Sequence, residues 1–186
     1  MKKKLTLVVS LLLVMALSIG GTLAFLTAQT DAVTNTFTVG NITITLAETK
    51  GNSFKIVPGA TVEKDPLITV KSGSEKCYVY ALVDNTVVID ETVVATPDIN
   101  TTDWVQVGTS GTKTLYRYKA IVNAASADQP LKVFEHVTFN GTAITATNIT
   151  DLADTTITID AFAHQAENIG EGTTTADTAA KNHFGI

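Results

Sequence analysis

Hydrophobic and polar positions alternate along most of this chain. Asn41-Ile42-Thr43-Ile44-Thr45-Leu46 places Ile42, Ile44 and Leu46 on one face of an extended segment. Thr155 to His164 repeats the pattern with Ile157, Ile159, Ala161 and Ala163. A period of two means one buried and one wet face, hence antiparallel sheet. Further strands are expected at Thr34–Val39, Ser53–Val57, Leu67–Val70, Cys77–Val83, Trp104–Val107, Thr112–Val122 and Leu131–Phe139. Gly108-Thr109-Ser110-Gly111 and Asn140-Gly141 read as turns, and Pro58-Gly59 closes the strand before it. Helical signals are few. Thr175 or Asp177 is placed to cap Ala176–Phe184 with Gly185 as its stop, and Thr147 to cap a short turn over Asn148–Ala153. Asp90–Thr102 and Gly170–Thr175 read as the least ordered stretches. The expected fold is all-β, an antiparallel β-sandwich of jelly-roll type with one or two short helices.

The pattern breaks at the start. Lys2, Lys3 and Lys4 precede an apolar run from Leu5 to Ile19, followed by Gly20, Gly21 and Thr22-Leu23-Ala24. This is the layout of a secretory signal peptide. Its apolar run is short of the ~20 residues that cross a bilayer. The expected division is a signal peptide over residues 1–24 and a single domain over 25–186, cut between Ala24 and Phe25. A cut after Ala28 would start the chain at Gln29 instead.

Composition supports an extracellular address. Thirty-two threonines, with many Val and Ile, suit strands. The full chain carries 13 basic and 18 acidic residues. Losing the three signal lysines leaves 10 against 18, a net charge of −8 over 162 residues. That balance argues against nucleic acid and anionic lipid as partners. Cys77 is the single cysteine, so the fold must rest on burial rather than disulfides; within Cys77-Tyr78-Val79-Tyr80-Ala81 it reads as a small core residue.

Chemistry is sparse. His136, His164 and His183 lack the spacing of a zinc-binding helix. His136 and His164 could meet across strands and, with Glu135 or Glu167, form a three-ligand zinc site; as surface or satisfied strand residues they would bind nothing. No nucleophile elbow or phosphate loop appears. Asp84, Asp90, Glu91, Asp98 and Asp103 read as solvated loop acids. Tyr116 and Tyr118 share a strand face, suited to core packing or to a carbohydrate strip. The expectation is no catalytic residue, no metal and no cofactor, and hence no enzyme.

Gly20-Gly21-Thr22-Leu23-Ala24-Phe25-Leu26, followed by Asn35-Thr36-Phe37-Thr38-Val39-Gly40-Asn41-Ile42-Thr43-Ile44-Thr45-Leu46, resembles the N-terminus of the TasA/camelysin family. These are secreted proteins of Gram-positive bacteria, processed by a SipW-type signal peptidase. Val57-Pro58-Gly59-Ala60 with Lys64-Asp65-Pro66 is similar to the family's next turn, with Ala60 in place of its usual acid. The strand Cys77-Tyr78-Val79-Tyr80-Ala81 resembles the one that follows. The resemblance is good over residues 20–85 and looser beyond. It implies a jelly-roll subunit of biofilm-matrix fibres, partnered by other copies or related subunits. It also admits a camelysin-like cell-surface metallopeptidase. A monomeric surface-binding module is a third reading. The end of the chain, Asn182-His183-Phe184-Gly185-Ile186, carries no wall-sorting signal, so no stable anchoring is expected after cleavage.

A free extended segment beside a sandwich suggests how such a chain assembles. Phe25, Leu26, Thr27 and Ala28 open a stretch in which Asp31 is the only charge before Glu48. Residues 25–33 can pair with a sheet edge on the next copy. That contact runs head-to-tail and need not close. A frayed terminus is the alternative.

Overall fold

The computed structural model describes residues 3–12, 40–51, 55–166 and 172–186. The chain divides into two units, Met1–Thr38 and Val39–Ile186. In the first, residues 3–12 form a helix (α1) with exposed side chains. No helix among the described residues is long and apolar enough to cross a membrane. Ala24, Phe25, Leu26, Thr27, Ala28 and the expected strand Thr34–Val39 lie outside the described residues.

The second unit is predominantly β, and every strand pairing is antiparallel. Its elements are β1 (Ile44–Ala47), β2 (Thr61–Glu63), β3 (Leu67–Val70), β4 (Cys77–Asn85), β5 (Val88–Ile89), β6 (Thr92–Val93), β7 (Ala95–Pro97), β8 (Trp104–Ser110), β9 (Lys113–Tyr118), β10 (Gln129–Lys132), β11 (His136–Phe139) and β12 (Ile157–Gln165). A 3-10 turn covers Ile149–Leu152, and α2 spans Gly172–Phe184. A four-stranded sheet runs β12-β4-β9-β8; three-stranded sheets run β1-β3-β10 and β2-β11-β7.

The two three-stranded sheets are joined by one interrupted ladder. The chain from β2 through β3 lies antiparallel to the chain from β10 through β11. Where the ladders lapse, Val133 N–H donates to Pro66 O at 3.1 Å and Lys64 N–H to Glu135 O at 2.7 Å. This corrects the expected single strand Leu131–Phe139. Val133 and Phe134 are adjacent and both buried, and the ladder lapses across them between Lys132 and His136.

The core lies between these sheets and the four-stranded one. Ile68 and Val70 of β3, Leu131 of β10 and Val137 and Phe139 of β11 pack with Cys77, Val79, Ala81 and Val83 of β4. The other face of β4 offers Tyr78, Tyr80 and Leu82 to α2. β4 is therefore buried on both faces, and its run of apolar residues has no polar alternation. Trp104 anchors the far side: its ring meets Tyr118 edge-on at 5.3 Å, and its Nε1–H donates to Lys132 O at 2.8 Å.

Other expectations need correction. Residues 55–57 are not strand, and β2 forms beyond the Pro58-Gly59 turn instead. Gly59 there has φ 78° and Ala60 N–H donates to Val57 O at 3.0 Å, a type II turn. Strand structure continues through Gly108, and the hairpin turns at Gly111-Thr112. Asp90–Thr102 carries β6 and β7 rather than loop alone. Helix α2 begins at Gly172, ahead of the expected caps, and Asn148 rather than Thr147 precedes the 3-10 turn. Leu46 is 40 % exposed, whereas Ile42 and Ile44 pack on the core.

Candidate functional site

Among the described residues, one side of the fold presents two sheet edges and a cleft. β2 ends the sheet β2-β11-β7 and β12 ends the four-stranded sheet, with a cleft of about 770 Å³ beside both. Inward side chains make its floor: Val62 of β2, Val137 and Phe139 of β11, Ile157 of β12, and Leu152 from the 3-10 turn. Lys55, Lys64, Asp154 and Thr155, Thr156 and Thr158 supply its polar wall. Lys64 is already engaged, its Nζ donating to Glu48 at 2.8 Å and to Gly51 O at 2.9 Å. A second cleft of about 280 Å³ adjoins Ile157, Thr158 and Ile159 together with Leu46, Ala47 and Pro66. Clefts thus touch the first half of β12 on two sides. Leu46 is exposed because its face of β1 overlooks the second of them.

The two ends of the four-stranded sheet differ. β8 shifts register between Gln106 and Gly108, and the C-terminal segment covers the bulge. A Cβ at Gly108 would lie 3.1 Å from Lys181 Cε and 3.5 Å from Ile186 Cγ2. A bulge and a covering segment are the ordinary guards of a sheet edge. β12 is different: nine residues pair with β4 in unbroken register, without Pro, Lys or bulge, and its outer edge pairs with no strand among the described residues. Asp160 is its only acidic or basic residue apart from His164.

The candidate chemical residues do not gather. His136 lies on β11 and His164 on β12, in different sheets, so they do not meet across strands. His136 Nδ1 lies 2.9 Å from Asp98 Oδ2, and Asp98 Oδ1 accepts the N–H groups of Glu135 and His136 at 2.8 and 2.7 Å. Burial pushes the Asp98 carboxyl up, but these bonds outweigh it and hold it below the usual range. His164 Nδ1 lies 2.9 Å from Gln165 O. His183 stacks on Phe162 at 4.6 Å. Glu167 lies outside the described residues. Among the described residues no three His, Cys, Asp or Glu side chains group to hold a metal.

The acids are not all idle. Asp84 accepts the Thr112 hydroxyl at 2.6 Å and Asp103 the Asn100 amide at 2.7 Å, so with Asp98 three of the five fasten turns. Asp90 and Glu91 form the β5–β6 turn at φ 47° and 62°. Tyr116 and Tyr118 pack inward on the core and leave no sugar-binding strip; burial raises both phenols. Cys77 is fully buried, which pushes its thiol up to about 11.

Sequence reasoning missed the cleft because its floor comes from four separate elements. The one local signal is in β12, whose alternation is the longest in the chain. No family model, curated protein or solved structure matches this chain.

Proposed function

We propose that the protein is a secreted structural subunit of the TasA/camelysin type. Its layers make a jelly-roll sandwich, and copies join head-to-tail by donating residues 25–33 to a neighbour's sheet edge. The observation that carries this reading is the β12 edge, which pairs with no strand on its outer side among the described residues and lies beside a cleft of about 770 Å³ with an apolar floor. A strand laid there gains backbone hydrogen bonds from the edge and burial for its inward side chains. Nine extended residues span about 30 Å, the length of β12. The donor is nearly neutral and begins with Phe25 and Leu26. Because donor and acceptor are different surfaces, the contact propagates rather than closing.

The role is structural rather than catalytic, extracellular or at the cell surface, with a SipW-type signal peptidase exposing the donor. Among the described residues His136 is paired with Asp98 and His164 lies in another sheet, an arrangement that lends the metallopeptidase alternative no support.

Electron microscopy of the mature protein and of a variant lacking residues 25–33 tests this. The deletion removes no residue of the described core, so the variant should stay folded and monomeric while the intact protein forms fibres. Raised salt should promote growth by screening the net −8 charge. If both polymerise alike, or neither does at high concentration, donation is wrong and the monomeric binding module is the better reading.

A further inference from the structure

We propose that α2 is an autoinhibitory cover over a self-association face of the four-stranded sheet. The face beneath it is strongly apolar: Tyr78, Tyr80 and Leu82 of β4, Leu115 of β9 and Phe162 of β12. Leu82 pairs with Leu115 and Tyr80 with Phe162 in register, so the patch is continuous. At its C-terminal end α2 sets two rings against it, His183 stacked on Phe162 at 4.6 Å and Phe184 edge-on to it at 6.2 Å, but over β4 its side chains are small. Ala176 and Ala180 are its only buried residues. Its sequence is also a poor helix, with four threonines and a glycine in thirteen residues.

One polar clasp holds the cover. Asp177 Oδ1 accepts the Tyr80 hydroxyl at 2.8 Å and lies 3.0 Å from Arg117 Nε, the chain's only arginine. The arginine contact is an ion pair off the line of a hydrogen bond, and Nε is buried with no other partner. Lifting α2 therefore frees a cation as well as uncovering an apolar face.

The occupant of the uncovered face is the same face of a second copy. Arg117 sits beside Tyr80 on one flank of β4, and Asp160 beside Leu82 on the other. Asp160 is exposed and shares the outward side of β12 with Phe162. A two-fold pairing sets each arginine against the partner's aspartate around an aromatic centre, the arrangement of an isologous interface. This contact is independent of residues 25–33 and would join subunits side by side.

Hydrogen–deuterium exchange and sedimentation of the mature chain test the cover. In the unmodified protein the α2 amides should exchange well before those of β4. Asp177→Ala should speed α2 exchange by about tenfold, the factor expected for a lost charge-assisted bond, with β4 unchanged. It should also raise the sedimenting mass at concentrations where the unmodified chain does not associate. Adding Asp160→Lys should reverse the gain in mass while α2 exchange stays fast. Exchange of α2 and β4 in step would make the helix an integral part of the core and overturn the proposal. So would an open α2 with no gain in mass, or a gain that Asp160→Lys leaves untouched.

Discussion

Asn85 is the most exacting single residue of the fold. It is buried, its Nδ2 donates to Ala95 O at 2.7 Å, and its Oδ1 accepts Val87 N–H at 3.1 Å. It thereby ties the end of β4 to β7 of the opposite layer. Asn85→Ala leaves two buried backbone groups unpaired and should cost roughly 2–4 kcal/mol in urea unfolding. Aspartates act the same way at the surface. The hydroxyl of Thr49, with the N–H groups of Thr49 and Lys50, holds the Asp65 carboxyl below the usual range; Lys71 and Ser72 N–H do so for Asp128. With Asp98, these groups bind protons less readily folded than unfolded. Their contribution is complete above the ordinary carboxylate value of about 4 and is lost as pH falls through the lower folded values. The urea midpoint should be flat between about pH 7 and 5 and fall below about pH 4. Asp98→Asn should make that fall shallower.

At the scale of elements, period-two alternation located what it could. β3 falls on Leu67–Val70 as read, and Ile157, Ile159, Ala161 and Ala163 all pack on the core. The pattern failed where packing decided instead of propensity. β2 has three residues, too few for a period, and exists because β11 pairs with it. The break at Val133–Phe134 required knowing that two sheets meet there. The cleft was illegible for the same reason: Val62, Phe139, Leu152 and Ile157 are distant in sequence, and only the topology brings them together. The β12 reading can be checked directly. Ile159→Ala removes a half-buried side chain and should cost roughly 1–3 kcal/mol, while the exposed Thr158→Ala should stay within about 0.5. Equal losses in urea would mean that the inward face was misassigned.

At the scale of the molecule, the two ends of one sheet carry the functional argument. β8 is bulged and covered, whereas β12 is regular and pairs with no strand on its outer side among the described residues, and an edge contact between such unlike ends is directional. The most direct measurement places the donor against the acceptor. Cysteines are introduced by Thr27→Cys and Thr158→Cys, with Cys77→Ala removing the buried native thiol, and assembled fibres are oxidised and run without reductant. A donor lying along β12 predicts a ladder of disulfide-linked oligomers, absent when Gln106→Cys on β8 replaces Thr158→Cys. Fibres that form normally but link through residue 106, or through neither position, would contradict the account.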